Sequence, residues 1–288
     1  MPWKIPIEKH DEIVEKYLSG CSMYTIADQY NSNATSIMRI LKLKGVQART
    51  NKINSKKDNY NESYFENIDT EDKAYWLGFL YADGYIVGKQ KHSSRKMGIS
   101  LCIDDLSHLK KFKTGLQSSA KIGIYKASNG AYSSNQYCRI LLTGEKICSD
   151  LEKHGVVENK TLILQPPTLD PLLVPHFIRG YIDGDGCITS SLQKGKNTPS
   201  FKVKIVGTDS VLNYIKEYIE QNNIASIKKL YKRRPTDIVS QLELGGNRQV
   251  KAFLDLIYKD ATVYLDRKFE KYNKLSNIIV ELDGNIKC

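Results

Sequence analysis

The sequence predicts an α+β protein: two similar mixed repeats behind a small all-α domain. Three observations carry that expectation. An apolar, helical stretch ending in Asp-Gly is written twice, as "YWLGFLYADG" at 75–84 and within "HFIRGYIDGDG" at 176–186. Each copy is followed by the same order of strands and helices, an internal repeat of about a hundred residues. The first 47 residues show helical periodicity and no strand pattern.

Taken in order, "PIEKHDEIVEKYLSG" sets Ile13, Val14, Tyr17 and Leu18 at helical spacing and stops at Gly20. Ser22 then caps "MYTIADQYN", where Ile26, Ala27 and Tyr30 share a face. After the turn "NSN", the helix "ATSIMRILKLKG" buries Ile37, Ile40 and Leu41 and ends at Gly45. Helix, short helix, tight turn, helix is the helix-turn-helix pattern, with Ala27 as the small residue at the crossing. Thr35, Ser36, Arg39 and Lys42 then point outward, toward a major groove. The stretch "GCSMYTIADQYNSNATSIMRILKLKG" resembles a resolvase-type helix-turn-helix, which implies that residues 1–47 bind DNA. Plain three-helix bundles show the same pattern.

Residues 48–69 have the composition of a linker. From Lys42 to Lys57 there are six Lys or Arg, Arg49 among them, and no acid. Such a segment tracks a phosphate backbone or serves as a solvated tether.

Beyond residue 70 strands and helices alternate. Period-two patterning marks "MGISLCI", "KIGIYK", "YCRILL", "FKVKIV", "IKKLYKRR" and "SQLELGG" as strands. Helices are expected at 105–117, 145–155, 209–222 and 247–259. The repeats therefore occupy 70–168 and 169–288.

Lys and Arg total 43 against 32 Asp and Glu, a formal net charge of +11. That excess attracts polyanions, nucleic acid first. The six cysteines form no C-x-x-C pair and no zinc spacing, as in a reduced, intracellular protein. No apolar run reaches membrane-spanning length, and the start "MPWKIPIEKHDE" is too polar for a secretory signal, so a cytoplasmic location is expected.

The duplicated stretch carries the chemistry. Trp76, Leu77, Phe79 and Leu80 cover nearly every side of the first helix, so it must be buried. Gly78 and Ala82, and in the second copy Gly180 and Gly184, are four apart and hence on one face, which lets the two helices pack closely. Gly84 and Gly186 are expected in the left-handed conformation that ends helices. Asp83 and Asp185 precede them, and side-by-side parallel helices bring these carboxylates to one end, where the helix carbonyls add negative charge. With no cationic neighbour in sequence, two such carboxylates call for a hard cation, Mg²⁺. A calcium loop is excluded: Gly186 at loop position six leaves Tyr181 and Leu192 where carboxylates are required. A common Asp-Gly turn explains either copy but not the shared small-residue face.

"WLGFLYADG" and "IRGYIDGDG" resemble the two copies of the LAGLIDADG motif of the homing endonuclease family in its single-chain form. The resemblance extends over roughly 70–275 and includes "GVVENKTLIL" and "YLDRKFEKY". It implies two pseudo-symmetric αββαββα repeats forming a saddle of antiparallel sheets over double-stranded DNA. It also implies site-specific, Mg²⁺- or Mn²⁺-dependent phosphodiester hydrolysis by a monomer. Asp83 and Asp185 match the motif's metal-binding acid, and the carbonyls of Ala82 and Gly184 its additional ligands. Lys160 in "ENKTL" and Lys268 in "DRKFE" match the lysines that the family places near the scissile phosphates; ordinary surface lysines are the alternative. The motif's sixth position holds Tyr81 in one copy and Asp183 in the other, so Asp183 reads as non-essential. On the sheets, Arg139, Lys202, Lys204, Lys228, Lys229, Lys232, Arg233 and Arg234 are candidates to face DNA. A non-cleaving binder on the same scaffold, an intron-RNA maturase or a DNA-binding regulator, is the competing expectation.

Overall fold

Two short polar side chains start two of the helices of the amino-terminal unit. Ser22 Oγ accepts the Thr25 N–H at 3.0 Å, and Asn33 Oδ1 accepts the Ser36 N–H at 2.9 Å. Helices α1 (His10–Leu18), α2 (Met23–Gln29) and α3 (Ala34–Leu43) follow as expected. Gly20 at φ 109° and Gly45 at φ 71° supply the left-handed turns behind α1 and α3. Ile13, Tyr17, Ile26, Ala27, Ile37, Ile40 and Leu41 form the core, joined by Ile5. Leu18 is not part of it and is 69% exposed. It lies about 100° around α1 from Tyr17, off the stripe that Ile13 and Tyr17 define.

This computed structural model describes residues 5–48, 58–88, 94–126, 136–192, 194, 195, 198–232, 234 and 236–285. Arg49 and Arg233 lie outside the described residues. The chain divides into units Met1–Lys56 and Lys57–Cys288. Part of the segment expected as linker belongs to the larger unit. Tyr64 and Phe65 are buried there, and the Tyr60 hydroxyl donates to the Thr143 carbonyl at 3.0 Å. Aromatic side chains at 60, 64 and 65 override the polar composition around them.

The larger unit is α+β. Its first half runs α4 (Glu71–Asp83), β1 (Gly84–Val87), β2 (Lys96–Cys102), α5 (Leu106–Gly115), β3 (Gly123–Lys126), β4 (Gln136–Thr143) and α6 (Glu145–Lys153). The sheet is antiparallel in the order β1-β2-β4-β3. The second half runs α7 (Val174–Asp185), β5 (Gly186–Ser191), β6 (Ser200–Gly207), α8 (Asp209–Gln221), β7 (Ser240–Gly245), α9 (Asn247–Tyr258) and α10 (Asp266–Asn285). Its antiparallel sheet has the order β5-β6-β7.

Among the described residues the strand expected from "IKKLYKRR" is reduced to one bridge, in which Tyr231 and Gln241 exchange both backbone bonds. Its apolar residues, Ile227 and Leu230, are three apart, so no period-two face exists to lay on the core. Elsewhere alternation decides. Cys138, Ile140 and Leu142 of β4 and Phe201, Val203 and Ile205 of β6 face inward, and both halves share one apolar core. Strands β1 and β5 were not legible, because each starts at the residue after its helix with no turn between.

Candidate active site

Glycines set how closely the two motif helices approach. A Cβ on Gly78 would lie 2.0 Å from the Phe177 carbonyl oxygen, and one on Gly180 would lie 1.9 Å from that of Tyr75. One on Gly184 would lie 2.2 Å from the Ala82 Cβ. Gly78 faces the span from Phe177 to Tyr181 and Gly180 the span from Tyr75 to Phe79, while Gly184, four residues on, faces Ala82, so α4 and α7 run parallel. Residues 74–81 of α4 are all buried. Parallel packing brings both helix ends, and with them Asp83 and Asp185, to one place.

The glycines that follow the acids correct one expectation. Gly84 (φ −79°, ψ 156°) and Gly186 (φ −88°, ψ 158°) are extended, not left-handed, because each helix runs directly into a strand. Glycine serves there for space: a Cβ would meet the Leu80 and Ile182 carbonyl oxygens at 2.7 and 2.6 Å.

Burial raises the Asp83 carboxyl to about 6, and the Asp185 charge adds to the rise. The Asp185 carboxyl is also raised by loss of water, although one side of it stays exposed. Cations oppose both shifts. Lys268, Lys160 and Arg267 act on Asp83, and Lys160 and Lys268 act on Asp185. The tertiary fold thus supplies the cationic neighbours that the local sequence lacks.

The two lysines come to matching places. Lys160 Nζ donates to the Ala82 carbonyl at 3.1 Å. Lys268 Nζ donates to the carbonyls of Ile182 (2.5 Å), Asp183 (2.6 Å) and Gly186 (2.6 Å), and lies 3.3 Å from that of Gly184. Each ammonium therefore caps the end of its own motif helix, at the carbonyl just before the acid. Both are buried, at 7% and 2% exposure, so neither is an ordinary surface lysine. Burial lowers both, Lys268 to about 8.

Asp183 has a structural task. Its fully buried carboxylate accepts from the hydroxyls of Tyr75 (2.7 Å) and Tyr258 (2.5 Å) and the Leu265 N–H (2.8 Å). Burial raises its pKa, while Lys268 and these donors oppose the rise. The Tyr75 oxygen is also 2.9 Å from His108 Nε2. Tyr75 gives its one proton to Asp183, so His108 donates to it, as a neutral ring that burial holds at about 3. Arg179 is a second hub that sequence reading missed. It is 1% exposed and donates to Glu71 and to the carbonyls of Ile257 and Val263. A charged residue inside an otherwise apolar helix face was the signal for both.

The remaining candidates divide by sheet. Arg139 lies on the open face of β4 with its guanidinium 4.6 Å from the Tyr125 ring centre, and Tyr125 stacks on Tyr137. Lys202 and Lys204 lie on the open face of β6, and both pair with Glu243, at 2.6 and 3.2 Å. Lys228, Lys229, Lys232 and Arg234 are exposed around the Tyr231 bridge. In the amino-terminal unit Thr35, Arg39 and Lys42 are exposed, whereas Ser36 is partly covered and bonds Asn33.

The family model described as "LAGLIDADG-like domain" matches residues 174–258. That span begins with the first residue of α7 and ends with the last of α9. The match lies wholly within the second repeat. Solved LAGLIDADG homing endonucleases share the fold of the larger unit. I-GzeII, in complex with its DNA target, is 12% identical with a TM-score of 0.52, covering 74% of this chain and 91% of that one. A mutant of I-SmaMI is 11% identical with a TM-score of 0.51, covering 73% and 92%. At these identities the likeness is one of fold. No curated protein matches the sequence. Among the described residues no helix is long and apolar enough to cross a membrane.

Among the described residues no three His, Cys, Asp or Glu side chains gather to hold a metal. Asp83 and Asp185 bring two carboxylates together instead. Two hard oxygens whose charged forms are disfavoured by burial fit a divalent cation that keeps most of its water. The carbonyls expected as further ligands fit less well, because Lys160 holds Ala82 and Lys268 crowds Gly184.

Proposed function

We propose that this protein is a site-specific double-stranded DNA endonuclease of the homing type. One observation carries the reading. Two parallel helices, packed through glycine, present Asp83 and Asp185 side by side, each with a buried lysine from its own repeat. A fold alone gains nothing from two crowded carboxylates.

Asp83 and Asp185 would hold Mg²⁺ or another divalent ion such as Mn²⁺. Such an ion, when bound, supplies an activated water and stabilises charge on the leaving oxygen. The chain's own part is positional. The helix seam fixes the spacing of the acids, and Asp183 ties α7 to Tyr75, Tyr258 and Leu265. Lys160 and Lys268 hold positive charge where a scissile phosphate would lie. The two sheets form the saddle that receives the duplex. Arg139, Lys202, Lys204, Lys228, Lys229, Lys232 and Arg234 face it, some neutralising phosphates and some reading base edges. The 1–47 unit extends the footprint through Thr35, Ser36, Arg39 and Lys42 of α3 as a helix-turn-helix. One chain holds both halves of the site, so the active form is a monomer, acting inside the cell.

One observation favours the second reading, a maturase or regulator that binds without cutting. The lysines already compensate the acids, so the site is not left bare without metal.

The test is plasmid cleavage in Mg²⁺ alongside binding in Ca²⁺, on a duplex carrying the gene's insertion site in uninterrupted form. Asp83→Asn and Asp185→Asn should each lower cleavage at least 100-fold and leave binding within about three-fold. Wild-type rates in both variants would remove the nuclease reading. Binding by the wild type with no cleavage in any divalent metal would establish the second.

A further inference from the structure

The first repeat grips the segment that carries the second repeat's lysine. Arg267 Nε and Nη2 donate to the two oxygens of Asp105, at 2.9 and 3.0 Å. Asp105 is 8% exposed and sits in the turn before α5. One residue earlier, Asp266 accepts from Lys111 of α5 at 2.5 Å, and Lys111 also donates to the Tyr264 carbonyl at 2.9 Å. The next residue in the chain is Lys268. Its ammonium is spent on carbonyls at the end of α7. Residues 264–268 are therefore held from one side by repeat 1 and from the other by the motif helix.

Among the described residues the other half of the site has no such grip. Gly84 stands opposite Ile99 and Gly186 opposite Ile205, so these positions correspond. Counting on from them places Asp105 on Val211. Lys160 corresponds to Lys268 through its carbonyl, which places Arg267 on Asn159. A valine and an asparagine cannot ion-pair. Three residues before Val211, Thr208 Oγ1 donates to the Leu164 carbonyl at 2.8 Å, a neutral contact between the repeats.

We propose that Asp105 is a positioning residue: through Arg267 it fixes the segment from which Lys268 reaches the α7 end, so one half of the site depends on an ion pair with the opposite repeat and the other does not. The inference rests on the nuclease reading. A bidentate, half-buried pair suits the task, since it fixes orientation as well as distance. Neutralising one partner leaves the other charge poorly compensated, and the segment is expected to loosen.

Asp105→Asn keeps shape and removes charge. On a duplex labelled separately on each strand, it should slow the cut of one strand at least ten-fold and the other less than two-fold. KM should stay unchanged and nicked product should accumulate. The swapped pair, Asp105→Arg with Arg267→Asp, should recover most of the lost rate. Equal slowing of both strands, or no slowing of either, overturns the proposal. Amide hydrogen exchange on the full chain gives a reading that needs no cleavage. Exchange across 264–270 should quicken about ten-fold in Asp105→Asn, with 158–164 unchanged. Unchanged exchange at 264–270 overturns the proposal even if the wild type never cuts, an outcome that would separately sink the nuclease reading.

Discussion

At Asp83 the cost of the site is open to measurement. Its carboxyl is raised to about 6 in the folded protein, against an ordinary value near 3.8. Between those values the folded state binds a proton that the unfolded state has released, so wild-type stability falls as pH rises through the window. Asn at 83 does not titrate. Asp83→Asn should therefore gain stability over the wild type from pH 4 to pH 7, reaching on the order of 1–2 kcal/mol once solvent screening of a partly exposed group is allowed for. Thermal melts in EDTA check the sign, and a gain that shrinks with rising pH contradicts it. In excess Mg²⁺ the gap should narrow, because the ion stabilises only the form that holds it. Sequence alone set this residue beside Asp185, as the fold does, and misjudged its other surroundings. Lys160, Lys268 and Arg267 are 77, 185 and 184 residues away in the chain, and only the fold brings their charge to Asp83. The same holds for Asp183, whose partners Tyr75, Tyr258 and Leu265 span both repeats.

Among the elements, the helix pair was legible because steric need writes itself in small residues. Gly78 and Gly180 could be assigned to an interface from spacing alone. The stop signals were less transparent, since Gly-after-helix has two physical causes. Gly20 and Gly45 take positive φ, whereas Gly84 and Gly186 only make room for a carbonyl behind them. The lost strand at 227–234 shows charge obscuring pattern, for the run has strand-like residues but no alternating face. Glycine substitutions test the interface. In Gly78→Ala or Gly180→Ala the new methyl would lie about 2 Å from a backbone oxygen on the facing helix. No rotamer change relieves that, so the helices must part, at a cost of about 3 kcal/mol or more. Gly245→Ala is the control, since its nearest neighbour would be the Lys202 Cγ at 3.8 Å, and it should change stability by less than about 1 kcal/mol. Urea unfolding of the three variants reads the difference, and a Gly78→Ala protein as stable as the control would refute close packing.

For the whole molecule the open matter is what the amino-terminal unit adds. It has its own core of Ile13, Tyr17, Ile26, Ile37, Ile40 and Leu41, and the larger unit has another that starts with Tyr64 and Phe65. Neither core needs side chains from the other, so deletion of residues 1–56 should leave the larger unit folded. The acids, lysines and sheets all remain, and cleavage at saturating protein should persist within a few-fold. Binding should weaken, because Arg39, Lys42 and the basic run to Lys57 are then lost to the duplex apart from Lys57 itself. Each phosphate contact releases counterions, so losing about six of them should flatten the dependence of log K on log salt by about 5. The loss would be largest at low salt and fade as salt screens the contacts that remain. Titrations of both proteins between 50 and 200 mM salt, in Ca²⁺ so that nothing is cut, give both slopes. Parallel lines of equal height would mean that the amino-terminal unit does not touch DNA. Parallel lines offset in height would mean that it binds through uncharged contacts, with Thr35 and Ser36 of α3 the first to substitute.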